Sequence, residues 1–167
     1  MSPLPSTDVS PDEFGVVYML SESHIPVVEQ IQHLITSGLG VKPDDSYSLT
    51  LPHMSLIQVA CPKKTALLKA IKKVKLPEYL EVTIDSIEYK PVTRNVWLMV
   101  RNEGLQSIHD AVLRECHKVG CKPIRQQIDR QATGEFPKAT LDSNFGPSYG
   151  EKFSKTAHIT LAKIPEG

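Results

Sequence analysis

Residues 52–57 read PHMSLI and residues 157–162 read AHITLA, and these two stretches do most to decide the fold. Each contains a histidine, an apolar residue, a serine or threonine, and a leucine, in that order. Side chains at positions i and i+2 of a β-strand point to the same face of the sheet. The pattern therefore predicts two strands that are polar on one face and apolar on the other. The residues placed on the polar faces are His53, Ser55, His158 and Thr160.

Outward from these stretches, apolar residues recur with the periods of strands and helices. Short β-rich or alternating runs predict strands at 14–20, 47–59, 80–90, 95–101 and 157–164. Helical spacing predicts helices at 25–37, 63–75 and 105–119. Pro52 lacks an amide hydrogen, so a strand should begin there or lie at a sheet edge.

The predicted helices also have recognisable inner faces and ends. In the basic helix of 63–75, the inner side is formed by Leu67, Leu68, Ile71 and Val74. Glycine favours helix ends, so the first helix is expected to stop at Gly38 or Gly40 and the third at Gly120.

The predicted order of elements is strand, helix, strand, helix, strand, strand, helix, long loop, strand. Mixed order with a turn signal at 91–94 predicts an α+β fold with a largely antiparallel sheet. Residues 1–13 contain three prolines and predict a flexible N-terminal tail, and residues 14–167 are expected to form a single domain. Within that domain, residues 121–152 predict a long loop with little regular structure.

The chain of 167 residues has 19 basic and 19 acidic side chains, so its formal net charge is zero. This balance argues against binding to long duplex nucleic acid by charge alone. The charges are unevenly placed, because residues 1–60 carry one basic and seven acidic residues (−6), whereas residues 61–167 carry 18 basic and 12 acidic (+6). A small anionic ligand fits this distribution better than a duplex does.

The cysteine content and the hydropathy of the sequence indicate the cellular compartment in which the protein is expected. No stretch approaches the roughly 20 apolar residues of a membrane span, and the N-terminus lacks the pattern of a secretory signal. Three cysteines cannot all pair within one chain, which indicates a reducing compartment. We therefore expect a cytoplasmic monomer without a membrane partner. Cys116 and Cys121, with His117 between them, could suggest a metal site, but no second half completes a zinc set, and we expect no metal or other cofactor.

Two imidazoles and two hydroxyls in one groove suit a phosphodiester substrate. A neutral imidazole can take a proton from an attacking hydroxyl or water, and an imidazolium can give one to the leaving oxygen. Hydroxyls can donate hydrogen bonds to the nonbridging phosphate oxygens, whose charge must be stabilised in the transition state. The alternative for each histidine is a half-buried strand residue satisfied by its neighbours.

These paired His-x-Ser/Thr motifs resemble those of the two-histidine phosphoesterase superfamily, which includes bacterial 2′-5′ RNA ligase-like proteins, plant cyclic phosphodiesterases and 2′-5′ oligoadenylate phosphodiesterases. The resemblance covers about residues 14–164. It implies two pseudo-symmetric α+β lobes flanking a central cleft, with one motif from each lobe. The sequence departs from the family at Ala157, where such proteins often have proline, and in the long linker before the second motif.

Further residues are candidates for substrate binding. Tyr149, Phe145 and Phe153, in the long loop, could stack on a base, and Arg125 and Arg130 could clamp a phosphate. Tyr18, Tyr47 and Trp97 are expected in the core or the cleft wall. The remaining histidines are expected at the surface or at helix caps: His24, His33, His109 and His117. The basic run of 63–75 predicts a solvated helix face or, alternatively, a surface that steers polyanions to the cleft.

Together these features predict a metal-independent phosphodiesterase that acts on a small nucleotide or short RNA ester. By resemblance, the substrate would be a 2′,3′-cyclic phosphate, a 2′-5′ linkage or a cyclic oligonucleotide. One histidine would be the base and the other the acid, and the sequence leaves open which is which. Two alternatives also stay open: a nucleotide- or RNA-binding module without turnover, and a ligase that forms 2′-5′ bonds with the same groups.

Overall fold

The two strands that carry the His-x-Ser/Thr motifs lie next to each other at the centre of one sheet. The computed structural model describes residues 12–40, 52–91, 94–125, 128 and 153–164. Within these ranges the elements follow the predicted order. They are β1 (Asp12–Met19), α1 (Ile25–Gly38), β2 (His53–Cys61), α2 (Lys64–Lys73), β3 (Thr83–Lys90), β4 (Asn95–Arg101), α3 (Leu105–Lys118), α4 (Phe153–Thr156) and β5 (His158–Lys163). Among the described residues, no helix combines the length and apolarity needed to cross a bilayer.

The α+β class and the antiparallel sheet are confirmed. The five strands are arranged in the order β1-β2-β5-β4-β3, and every neighbouring pair is antiparallel. β2 and β5 join the two halves of the sheet through the pairing of Met54 with Ile159. The two motifs therefore meet at the junction of one continuous sheet.

Some predicted boundaries differ from the observed ones. β1 begins at Asp12, inside the predicted tail, and the rest of that tail lies outside the described residues. Pro52 immediately precedes β2, which confirms its place at a strand start, whereas residues 47–51 lie outside the described part. β3 begins at Thr83 instead of residue 80.

The apolar core lies on one side of the sheet, between the strands and the helices. Met54 and Leu56 from β2 and Ile159 and Leu161 from β5 are at most 5% exposed. They form one cluster with side chains from α1, α2 and α3: Val28, Leu67, Leu105, Val112 and Cys116. The three helices thus cover the same face of the sheet. Burial of this face is the main source of stability.

One prediction for the inner face of α2 is wrong. Leu67 is buried as expected, and Ile71 and Val74 pack against the core, but Leu68 is 49% exposed. Consecutive residues of a helix are about 100° apart, so Leu68 turns away when Leu67 faces the sheet. Ala70 occupies the fully buried position instead, which lets α2 approach its neighbours closely.

A β-bulge in β2 explains a second error. The pairing with β1 shifts between Val16, opposite Ile57, and Val17, opposite Ser55, so Leu56 is the extra residue. The carbonyl oxygen of Leu56 accepts a hydrogen bond from Nδ1 of His109 at 2.9 Å. His109 was expected at the surface and is fully buried instead. Burial lowers its pKa, because the apolar surroundings disfavour the imidazolium.

Phe153 is also placed differently from the prediction. It belongs to α4 instead of a loop, is 2% exposed, and stacks on the ring of His109 with a centroid distance of 4.3 Å. Its side chain is therefore part of the core beneath the sheet, where it cannot stack on a substrate base. The aromatic pair ties the chain just before the second motif to α3.

Candidate active site

The four motif side chains lie on the sheet face opposite the helices. His53, Ser55, His158 and Thr160 are each partly exposed, and the residues that alternate with them are buried. This alternation is the predicted one, and it follows from the two-residue period of a strand. Two imidazoles and two hydroxyls therefore lie on one face of adjacent strands.

The strand register sets which groups are neighbours. Met54 pairs with Ile159, so continuing the antiparallel register by one residue in each direction sets His53 opposite Thr160 and Ser55 opposite His158. Each histidine thus lies beside the hydroxyl of the other motif. Diagonal residues on neighbouring strands are about 7–8 Å apart, so the two histidines are near neighbours on this face.

The imidazole of His158 is held by its backbone surroundings. Its Nδ1–H donates a hydrogen bond of 2.6 Å to the carbonyl oxygen of Thr156, the last residue of α4. A carbonyl can only accept, so this bond places the proton on Nδ1 and leaves the lone pair on Nε2. The short helix α4 ends two residues before His158, and its last residue supplies that carbonyl.

The indole of Trp97 covers one face of the same imidazole. The ring centroids are 3.5 Å apart and the ring planes differ by 8°. Trp97 pairs with Thr160 across β4 and β5, so it lies on the motif face of the sheet. It was predicted only as core or cleft wall, and the alternation of NVWLMVR, with Val96 and Leu98 in the core, was the signal available for placing it.

Lys90 is the other residue near the site that the sequence did not single out. Its Nζ lies 5.2 Å from the centroid of the Trp97 ring and forms an ion pair with the carboxylate of Glu88. That pairing lowers the pKa of Glu88, chiefly through the hydrogen bond from Lys90. Both residues belong to the edge strand β3, which β4 separates from the motif strand β5.

The electrostatic environment distinguishes His158 as a neutral group. Its pKa is lowered to about 4, mainly because burial disfavours the imidazolium; the hydrogen bond to Thr156 opposes the shift, and the positive charges of Lys90 and His53 add to it. At neutral pH, His158 therefore carries no proton on Nε2 and can accept one.

Of the remaining substrate-binding candidates, the structure describes Arg125, which lies away from this site. Arg125 is exposed, and its backbone N–H donates to Oε1 of Glu13 at 2.7 Å, at the far end of β1 from the motifs. Tyr149, Phe145 and Arg130 lie outside the described residues, as does Tyr47. Tyr18 lines the sheet, with its hydroxyl donating to the carbonyl oxygen of Pro77 at 3.0 Å.

No protein-family model, curated protein or solved structure matches this chain. A function for it must therefore be inferred from the chemistry of the site itself.

The three cysteines form a buried cluster away from the motif face. Cys61, Cys116 and Cys121 are free thiols, each at most 5% exposed. Burial raises the pKa of Cys116 to about 11 and that of Cys121 above the usual range, which makes both thiols poor nucleophiles. His117, between them in sequence, is exposed, so the three groups do not converge. Within the described ranges, no three His, Cys, Asp or Glu side chains are grouped as metal ligands.

The basic helix lies on the other side of the sheet from the histidines. The six lysines of the 63–75 run are all exposed, and Leu67 of α2 packs beneath the sheet. A groove of about 370 Å³ separates the end of α2 from α3, lined by Lys73, Lys75, Leu76, Ile108 and Arg114, among others. This geometry fits a solvated helix face better than a surface that steers anions to the motifs.

Proposed function

We propose that this protein is a metal-independent phosphodiesterase of the two-histidine type, acting on a small nucleotide or short RNA ester. The observation that carries the proposal is the convergence of His53, Ser55, His158 and Thr160 on one face of two adjacent strands, opposite the face that α1, α2 and α3 cover. Acid–base catalysis and stabilisation of anionic oxygens are the two requirements of phosphodiester cleavage, and these four groups can supply both.

The surroundings of His158 favour it as the general base. Its Nε2 carries a lone pair, because Nδ1–H is bonded to Thr156, and its low pKa keeps that nitrogen unprotonated at pH 7. A group with a pKa of about 4 is a weak base, so the driving force for proton transfer to it is small. At pH 7, however, nearly every His158 ring is unprotonated and available to accept a proton. His53 is then the general acid. The surroundings of His158 therefore favour one of the two assignments that the sequence left open.

The proposed reaction is an in-line displacement at phosphorus. Nε2 of His158 takes the proton of an attacking water, whose oxygen forms the new P–O bond. His53 gives its proton to the leaving oxygen as the old P–O bond breaks. The hydroxyls of Ser55 and Thr160 donate hydrogen bonds to the nonbridging oxygens. Proton exchange with solvent then returns both imidazoles to their starting states.

We also propose that the protein has two lobes, one for each half of the sheet. β1 and β2 form one half of the sheet, β5, β4 and β3 form the other, and the motifs meet at the β2–β5 junction. Each half contributes one histidine and one hydroxyl, as the resemblance implies. We propose that substrate binds across this junction, on the face opposite α1, α2 and α3.

The first prediction concerns turnover. His53→Ala and His158→Ala should each lower kcat by about 10²- to 10⁴-fold, because each removes one proton-transfer group. EDTA should leave activity unchanged. The assay is a panel of 2′,3′-cyclic mononucleotides, cyclic oligonucleotides, and 2′-5′ and 3′-5′ dinucleotides.

The matched control is His33→Ala, which removes an exposed histidine from α1. It should behave as wild type. Loss of activity in chelator, or full activity in both motif variants, would contradict the mechanism. Binding of panel members without turnover would favour a nucleotide-binding module, and formation of 2′-5′ bonds from cleaved ends would favour a ligase.

A further inference from the structure

Trp97 is positioned between a candidate catalytic base and a lysine. Lys90, which is paired with Glu88, lies on β3 opposite Asn95, near the start of β4. His158 lies on β5 opposite Met99, near the end of β4. The indole lies between these two positions, stacked at 3.5 Å on His158 and with Lys90 Nζ 5.2 Å from its centroid. Both contacts are made with the ring system of the indole.

The contact with His158 is made through the ring face and not through the polar atom of the indole. Nε1 of Trp97 is buried and makes no hydrogen bond within the described part of the chain. A buried N–H without a partner costs stability, so the position is not explained by that group. Face-to-face packing of two flat rings restricts the tilt of the imidazole.

Two independent restraints therefore act on His158. The hydrogen bond from Nδ1 to Thr156 fixes the ring within its plane and fixes the tautomer. The stack on Trp97 fixes the plane. An imidazole side chain has two rotatable bonds, so these two contacts together determine where Nε2 points.

Among the described residues, charged, polar and aromatic groups near His158 come from four elements. They are Lys90 from β3, with Glu88 as its counter-ion, Trp97 from β4, His53 from β2, and the Thr156 carbonyl from α4. Of these, Trp97 contributes no charge and shields the ring from water. Removal of the indole would hydrate the imidazole and favour its charged form.

We propose that Trp97 is a positioning residue that holds His158 as a neutral imidazole with Nε2 directed at the substrate phosphate. The catalytic part of this inference rests on the proposed function, whereas the effect on the state of the ring does not. Trp97 acts through His158, so its replacement should lower kcat and leave KM nearly unchanged.

The test compares Trp97→Phe with Trp97→Leu in the full chain. Histidine Hε1 and ring ¹⁵N signals are followed by NMR from pH 3.5 to 8, and the His158 signals are assigned by their absence in His158→Gln. Phenylalanine can still stack, so its variant should keep the Nδ1–H tautomer and the low pKa. Leucine cannot stack flat, so the pKa of His158 should rise by a unit or more, and the tautomers should mix.

Kinetics supply a second readout. In Trp97→Leu, kcat at pH 8 should fall about 10- to 100-fold, because small displacements of a catalytic group have effects of this size. The acid limb of its kcat/KM profile should move toward pH 6.5, and Trp97→Phe should restore most of both properties. If Leu destabilises the fold, Trp97→Met provides a second non-planar variant of similar bulk.

The outcomes separate this inference from the proposed function. An unchanged tautomer, pKa and pH profile in Trp97→Leu and Trp97→Met would overturn the role of Trp97, even if His158→Ala abolished turnover. The expected NMR changes, with no turnover by wild type on any panel member, would support the control of the His158 ring and refute the phosphodiesterase.

Discussion

Ala157 stands one residue before the second histidine, in the place that Pro52 occupies before the first. Its N–H donates a hydrogen bond of 2.9 Å to the carbonyl oxygen of Phe153, and its own carbonyl accepts one of 3.1 Å from Val100. Proline has no N–H and cannot make the first of these bonds. Ala157 thus has a local reason not to be proline: its N–H closes the last turn of α4, which ends one residue earlier, at Thr156.

A prediction follows for this residue. Ala157→Pro should lower the free energy of unfolding by about 1–3 kcal/mol, because it removes the 2.9 Å bond and leaves the Phe153 carbonyl with the longer 3.3 Å bond from the Thr156 hydroxyl. Denaturant unfolding followed by circular dichroism measures the change. Ala157→Gly keeps the N–H and should cost about 1 kcal/mol. A proline variant as stable as wild type would show that the hydrogen bond is not needed.

Among the histidines, sequence reasoning could not supply the hydrogen-bond partner of the buried His109. His109 lies in an amphipathic helix on the side of Val112 and Cys116, so helical spacing alone could have suggested burial. The imidazole can be buried because it donates a hydrogen bond to the carbonyl oxygen of Leu56. That carbonyl lies at the bulge of β2, 53 residues earlier in the chain. A partner so distant in sequence has no local signal.

At the scale of the element, Gly38 and Gly120 lie at helix ends that the sequence predicted, but their backbone conformations differ. Gly38 is the last residue of α1, without the positive φ found at Gly40 and Gly120. Gly120 follows α3 with φ of 79°, in the left-handed region that other residues rarely adopt. A Cβ added at either position would meet no atom within 4 Å. The difference between them is therefore in the backbone and not in packing.

Alanine substitutions at these glycines should have opposite signs. Gly38→Ala should stabilise the protein by about 0.5–1 kcal/mol, because it reduces the freedom of the unfolded chain at a helical position. Gly120→Ala should destabilise it by about 1–2 kcal/mol, because an L-residue is strained at positive φ. Each variant is the control for the other in the same thermal or denaturant unfolding experiment, and shifts of equal sign would contradict the assignment.

For the whole molecule, two histidines link folding to pH. His158 and His109 both have pKa values lowered by burial, the first to about 4. In the unfolded chain they titrate near pH 6.5, so there the unfolded state binds protons that the folded state does not. Stability is therefore complete above about pH 6.5 and decreases as pH falls from that value toward the folded pKa.

The expected loss is measurable. For His158, a fall of the pKa from 6.5 to about 4 corresponds to something on the order of 3 kcal/mol between pH 7 and 4. Urea unfolding at half-unit pH intervals measures it. His158→Gln should flatten the slope in this window, and His33→Ala should not change it. A slope that begins only below about pH 4.5 would assign the effect to carboxylates such as Glu88, whose pKa values are lowered, and not to the histidines.

The sequence by itself determined the element order, the antiparallel α+β class and the alternation that places both His-x-Ser/Thr motifs with their polar residues on one face. These are local properties, because the period of a strand or helix is set within a few residues. Only the tertiary structure decided that β2 and β5 are neighbours and that Trp97 and the Thr156 carbonyl hold His158. The same long-range contacts buried His109 and Phe153 and put the basic helix behind the sheet. They depend on which residues meet across the sheet, and a pairing between segments about a hundred residues apart leaves no trace in either segment alone.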